Sequence, residues 1–303
     1  MKRRENITVL ISDHKCAYFT EQDDMSLAFY DNLELPEGVV VNGYIKEPII
    51  LFELLQESIK KHQFKIRNVN ILIHDQNLLI RNVTISKEEL QRKTINQYMH
   101  EQTDKKVYFP FEKAAISQHI QHEDEKEVKA LALITDEDLL HDYYDIFEKL
   151  GAKEVSFDLP SLALYELYKA DSKTTANNIM LVTIYSSLLA IQIFSNHMPI
   201  FQMIEECDGS NPDRNRILEN YIERIANYYK FNVTKGEKAV EDVVIYNLSD
   251  TISNEEITEQ VIPTLTDFKT SLFSVNSFSD YHKNLPVGCI LPYATIISQK
   301  ENV

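Results

Sequence analysis

His119-x-x-His122, followed at once by Glu123-Asp124-Glu125, is the densest group of metal-ligating side chains in the sequence. Imidazole with carboxylate suits several divalent ions. The surrounding segment reads as a strand, however, and residues three apart on a strand point to opposite faces, so the two rings cannot close on one ion. The acidic run then reads as a solvated hairpin turn. Asp138, Asp142 and Asp145 form a second carboxylate cluster, opposite the apolar stripe of a helix, which makes them its solvent face. No Gly-x-Ser-x-Gly elbow and no Cys-His signature offers a nucleophile. Asp13 sits in a short polar turn, where an aspartate bonds its own backbone. Arg81, a cation in an otherwise apolar strand, fits either an internal ion pair or a grip on a partner peptide. Tyr98 and the aromatic loop Tyr108-Phe109-Pro110-Phe111 fit either a core or a binding surface.

The elements that must position these residues can be read from periodicity. Residues 7–11, 15–20 and 25–33 form a three-strand meander. Asn42-Gly43, between two apolar pairs, is the strongest hairpin signal in the chain. Pro48 then opens a helix with the stripe Leu51, Leu54, Leu55 and Ile59, closed by Lys60-Lys61. Two strands (69–74 and 78–85), a helix opened by the capping box Ser86-Lys87-Glu88-Glu89, and two further strands (114–121 and 128–134) follow. Next comes an amphipathic helix, capped by Thr135 and stopped by Gly151. Asp158 caps another helix. A second meander spans 179–184, 188–194 and 198–204, with a long helix over 213–229, a strand over 242–247, a short helix over 254–260 and a weak strand over 272–275. The last apolar stretch, 287–297, is interrupted by Pro292. Two meanders, each followed by helices, indicate a structural duplication.

Composition narrows the function. The 303 residues carry a net charge of −16, which argues against a nucleic-acid or anionic-lipid surface. No stretch reaches the ~18 apolar residues of a membrane span, and the N-terminal Lys2-Arg3-Arg4 lacks a signal-peptide apolar core. Cys16, Cys207 and Cys289, odd in number and far apart, fit free thiols in a reducing compartment. There are only 6 glycines, where average usage would give roughly 21. Glycine is the residue that lets backbone approach a phosphate.

Three stretches, Leu35-Pro36-Glu37-Gly38-Val39-Val40-Val41-Asn42-Gly43, Ile80-Arg81-Asn82-Val83-Thr84-Ile85 and Val107-Tyr108-Phe109-Pro110-Phe111-Glu112, together resemble the PilM family of type IV pilus assembly proteins. The first resembles its turn into the first helix, the second its strand before the capped helix, and the third its aromatic element. The resemblance is best over residues 35–168. It implies an α/β, actin-like (ribonuclease H-like) two-lobe fold. The first lobe would comprise 1–66 and 151–176, an inserted subdomain 67–150, and a reduced second lobe 177–303 whose C-terminal segment packs back on the first.

It also implies a nucleotide site, with Asp-x-Gly turns between the first two strands of each lobe. Those turns read Ile11-Ser12-Asp13-His14-Lys15 and Ile184-Tyr185-Ser186-Ser187-Leu188, without glycine. Leu248-Ser249-Asp250-Thr251 stands where a Gly-Gly turn would cover adenine. Asp13 and Ser186 are therefore expected to be vestiges of that site, with no ATP or Mg²⁺ cofactor and no enzymatic activity. The family binds the short cytoplasmic N-terminus of a single-span PilN-like partner in a groove between the first lobe and its insertion. The expected partner-binding residues are Arg81, Tyr98, Tyr108, Phe109 and Phe111. The tail is expected to be basic and drawn to this acidic chain. The assembly ATPase, the platform protein and self-association are further expected contacts. The expectation is a cytoplasmic adaptor, peripheral to the membrane through its partners and without direct insertion. The alternatives are an ATP-binding, polymer-forming protein of FtsA type and the cytoplasmic part of a GspL-type secretion protein.

Overall fold

Nine-residue β1 (Arg3–Ile11) opens the fold, and the strands that flank it explain how the chain is divided. The computed structural model describes residues 3–21, 27–90, 93–102, 109–172, 174–207, 211, 213–249, 251–274 and 285–301. β2 (Lys15–Glu21) and β3 (Leu27–Glu34) run antiparallel beside β1, while β6 (Phe64–Leu72) and β10 (Glu154–Asp158) run parallel on its other side. The resulting sheet has the order β10-β6-β1-β2-β3. Between β3 and β6 lie the short hairpin β4 (Val40–Val41) and β5 (Tyr44–Ile45) and then α1 (Pro48–Lys61). Asn42 and Gly43 both take positive φ, 53° and 79°, as the type I′ geometry requires. Pro48 stands in the first turn of α1, and Lys60 and Lys61 lie in its last.

The insertion is a three-stranded sheet of order β7-β9-β8, made by β7 (Leu79–Ser86), β8 (Ala114–Glu123) and β9 (Glu127–Asp136). α2 (Lys87–Leu90) and α3 (Ile95–Glu101) cover it. The expected boundaries at 67 and 150 move inward. β6 is hydrogen-bonded into the first lobe's sheet. α4 (Glu137–Lys149) buries Leu139, Tyr143, Ile146 and Phe147 in that lobe's core, against Leu51 and Leu55 of α1. The cap of α4 is Asp136, whose Oδ1 accepts from the Asp138 N–H at 3.0 Å; Thr135 instead donates to the Asn77 carbonyl at 2.7 Å.

The second lobe repeats the plan. β11 (Asn178–Ile184), β12 (Leu188–Ser195) and β13 (Met198–Glu206) form a meander, and β14 (Asp242–Asn247) and β15 (Lys269–Leu272) extend it in parallel, giving the order β13-β12-β11-β14-β15. All seven residues of β11 are buried, as for a strand covered on both faces. α6 (Arg214–Tyr228) follows β13 and runs into a π-turn, Tyr229–Val233; α7 (Asn254–Glu256) runs into another, Ile257–Val261.

α5 (Pro160–Ser172) and α8 (Val287–Glu301) lie between the lobes. One core cluster joins Leu10, Phe19 and Leu72 of the first lobe, both helices, and Ile179, Phe194 and Val244 of the second. α8 packs on α5 and on β1, β2 and β3. Pro292 does not end it, because Leu291, Tyr293, Ala294 and Ile296 are all buried around the proline. That burial outweighs the roughly 3 kcal/mol an interior proline costs.

Candidate functional site

The β1–β2 turn holds Asp13 by a contact that no local pattern foretells. Its carboxylate accepts from the backbone N–H groups of Asn42 (2.8 Å) and Gly43 (3.0 Å), so it braces the β4–β5 hairpin from outside. Gly43 is also a point of close approach, since a Cβ there would fall 2.1 Å from Asn77 Nδ2. The Gly43 carbonyl accepts from the Tyr143 hydroxyl (2.7 Å), which ties the hairpin to α4.

Opposite this turn, across the cleft, stands the β11–β12 turn of the second lobe. Tyr185 occupies its first position and reaches into the first lobe. Its ring lies 5.1 Å from that of His74, and its hydroxyl donates to Asp75 Oδ2 at 3.2 Å. Asp75 is 1% exposed. Burial pushes its carboxyl up, and burial pushes the neighbouring His74 imidazole down, so each is held toward its neutral form. Gln202 of β13 closes the same junction, donating from Nε2 to the carbonyls of Asp75 (2.7 Å) and Leu78 (2.9 Å). Asn82 of β7 donates to the Ile200 carbonyl at 2.8 Å. What remains of the cleft is a cavity of about 490 Å³ lined by Asp13, His14, His74, Tyr185, Ser187 and Glu206. Ser186 is exposed at its rim and does not line it.

Beyond the end of β14 a second recess lies between that strand's loop and α6. Arg214 crosses it, its Nη2 donating to both carboxylate oxygens of Glu256 (2.9 and 2.7 Å) and its Nη1 to the Thr251 carbonyl at 2.9 Å. The recess holds about 20 Å³, room for roughly one water.

A different opening separates the first lobe from the insertion. Ile73, Leu140 and Phe157 on one side and Leu78, Ile116 and Leu133 on the other line an apolar groove of about 340 Å³. β8 forms one wall. Among the described residues it pairs with β9 along one edge only, and the residues of its outer half are exposed. Asp158 brings a carboxylate to the groove.

The expected partner residues are not the ones that line this groove. Tyr98 and Phe109 are each 5% exposed and, with Phe111 packed beside them, build the insertion's own core around Ile85, Met99 and Ala130. An insertion of three strands has few residues to fill its interior, and its aromatics are recruited for that. Arg81 is half-buried on β7 and donates to the Ile80 carbonyl at 3.0 Å, on the side of the sheet away from β8. Tyr108 lies outside the described residues. His119 and His122 are exposed on β8, and among the described residues no three His, Cys, Asp or Glu side chains converge as a metal site.

Comparison with known proteins gives this geometry its relatives. The profile of the type IV pilus assembly protein PilM matches residues 15–242. The chain belongs to the PilM family. Among solved structures, the PilM-PilN type IV pilus biogenesis complex aligns over 98% of this chain and 98% of its own, with 11% identity and a TM-score of 0.72. The cytoplasmic domain of EpsL, an inner-membrane component of the Vibrio cholerae type II secretion system, aligns over 98% and 95% at 11% identity with a TM-score of 0.46. No curated protein matches the sequence. The fold is therefore actin-like. The cleft bridged by Tyr185 lies between the β1–β2 and β11–β12 turns, and the apolar groove is the one bounded by the first lobe and its insertion.

Proposed function

We propose that this PilM-family protein works as a non-catalytic adaptor of a type IV or competence pilus machine, on the cytoplasmic side of the membrane. It holds the short cytoplasmic tail of a bitopic, PilN-like partner in the apolar groove beside β8. The observation that carries the reading is the groove itself. An open strand edge offers backbone hydrogen bonds to an extended peptide, and the adjoining apolar recess accepts its side chains. Asp158 and the net charge of −16 favour a tail with basic residues near the membrane. The solved PilM-PilN complex supports a partner of that type.

The reading includes no ATP or Mg²⁺ cofactor. Tyr185 lies across the phosphate end of the cleft, Asp13 is spent on the Asn42 and Gly43 N–H groups, and the Arg214–Glu256 pair fills the recess where a base would stack. The two lobes are joined by protein groups where a nucleotide would otherwise bridge them.

The test is a titration of a labelled peptide, made from the N-terminal cytoplasmic tail of a PilN-like bitopic protein of the same cell, against the wild type and Ile116→Asp. Binding that is lost or weakened at least about tenfold by the substitution supports the groove, because a carboxylate buried there has no partner. Equal binding by both proteins, or none by the wild type, removes it.

A further inference from the structure

The π-turn at the end of α6 presents an apolar tip among cations on a chain that is otherwise strongly acidic. Phe231 is 59% exposed, and Tyr228 and Val233 stand beside it nearly as open. From Arg224 to Lys238 the sequence holds four cations, Arg224, Lys230, Lys235 and Lys238, against the single carboxylate Glu237. Arg224 leans toward Glu205 (3.9 Å), whereas among the described residues Lys230, Lys235 and Lys238 have no carboxylate within ion-pair distance. Lys230 keeps its ammonium 5.2 Å from the centre of the Phe231 ring.

This tip is held rigidly. Tyr229 is fully buried and donates to Asn178 Oδ1 at 2.8 Å, which roots the turn in the second lobe. The single Thr234 hydroxyl proton has the carbonyls of Lys230 (2.9 Å) and Lys238 (2.8 Å) within reach, the hydroxyl oxygen accepts from the Lys238 N–H (3.2 Å), and the Gly236 N–H donates to the Lys230 carbonyl at 2.7 Å. Lys235 and Gly236 both take positive φ to close the loop. Phe231 and Val233 are therefore displayed by a fixed backbone, and nothing in the turn lets them fold back to the core.

We propose that this turn is a contact site for an anionic bilayer surface, with Phe231 and Val233 entering the headgroup region and Lys230, Lys235 and Lys238 meeting lipid phosphate. None of the turn's residues lines a cavity described above. A projecting apolar tip ringed by long, flexible ammonium groups suits a deformable interface, where lysine stems lie along apolar surface and their heads stay hydrated. Each lysine near an anionic surface strengthens binding roughly fivefold. The acidic remainder of the chain is repelled, so the contact is shallow and orients the protein with the end of α6 toward the bilayer. The contact does not depend on the peptide groove.

The experiment is co-sedimentation of the full chain with phosphatidylglycerol-rich vesicles and with pure phosphatidylcholine vesicles, at low and high salt. Sedimentation with the anionic vesicles alone, abolished by salt, is expected. Phe231→Ser with Val233→Ser, and separately Lys230→Glu with Lys235→Glu, should each weaken it roughly tenfold or more. The wild type remaining in the supernatant with anionic vesicles at low salt overturns the proposal, whatever the variants do. So does equal sedimentation of the wild type and either variant. A wild type whose Phe231 and Val233 instead hold two copies together, seen as a lower mass for that variant in sedimentation velocity with vesicle binding unchanged, overturns it as well.

Discussion

Asp31 and Asp75 are both shielded from water, yet their surroundings drive them in opposite directions. Burial would raise the Asp31 carboxyl, but hydrogen bonds from Ser58 (2.6 Å), the Asn32 N–H (3.0 Å) and His62 (3.1 Å) outweigh it and hold the group below the ordinary carboxylate range. Its stabilising contribution is present above about pH 4 and is lost as pH falls through the lowered value. Asp75 is raised by burial, so the wild type is penalised as pH climbs above about 4. Chemical denaturation across the acidic range should show Asp31→Asn destabilised most near neutrality, by about 1–3 kcal/mol, and converging on the wild type in acid. Asp75→Asn, which keeps an acceptor for Tyr185, should gain on the wild type as pH rises. Tyr185→Phe keeps the ring on His74 and loses only the hydroxyl. A loss of about 1 kcal/mol in the same assay is expected, and no loss would show that the hydroxyl does not hold the lobes. The sequence shows a missing glycine in the Tyr185 turn. It cannot show that the residue in its place reaches a carboxyl 110 positions away, because the contact exists only once the two lobes meet.

At the scale of elements, what is local was legible. Asn42-Gly43 gives its turn because both residues tolerate positive φ. Gly43→Ala should cost about 1–3 kcal/mol by thermal or denaturant unfolding, from φ strain and from the crowding at Asn77. Both meanders and the stripes of α1, α4 and α6 follow from periodicity. Periodicity identifies a buried face without saying what covers it, which is why α4 reads as part of the insertion but packs on the first lobe. The same gap explains Tyr98 and Phe109: an aromatic in a loop or short helix gives the same signal whether it faces a partner or a small core. Phe109→Ala should cost about 3 kcal/mol or more and unfold the insertion first, seen as lost amide protection in β7, β8 and β9 while β11 stays protected. Equal loss across the chain would mean that the insertion has no stability of its own. Pro292 within α8 marks the limit of a local rule, since the helix persists because α5 and the strands β1, β2 and β3 bury it.

At the scale of the whole molecule, two duplicated lobes share one core through α5 and α8, and side chains also join them across the cleft. Composition shows the glycine shortage, the resemblance assigns it to two turns, and those turns line the cleft. The peptide groove was legible only as a resemblance. Its lining is assembled from β8, β9, α4, β10, α5 and the segment that follows β6, which are far apart in sequence and carry ordinary core residues. The central claim is that the groove works while the lobes are held by the protein itself, so tail affinity is independent of nucleotide. Calorimetric titration of the PilN-like tail peptide into the wild type, with and without Mg-ATP, tests this most directly. The account predicts the same affinity in both titrations and no heat from Mg-ATP alone. Saturable Mg-ATP binding, or tail binding that appears only in its presence, would contradict it.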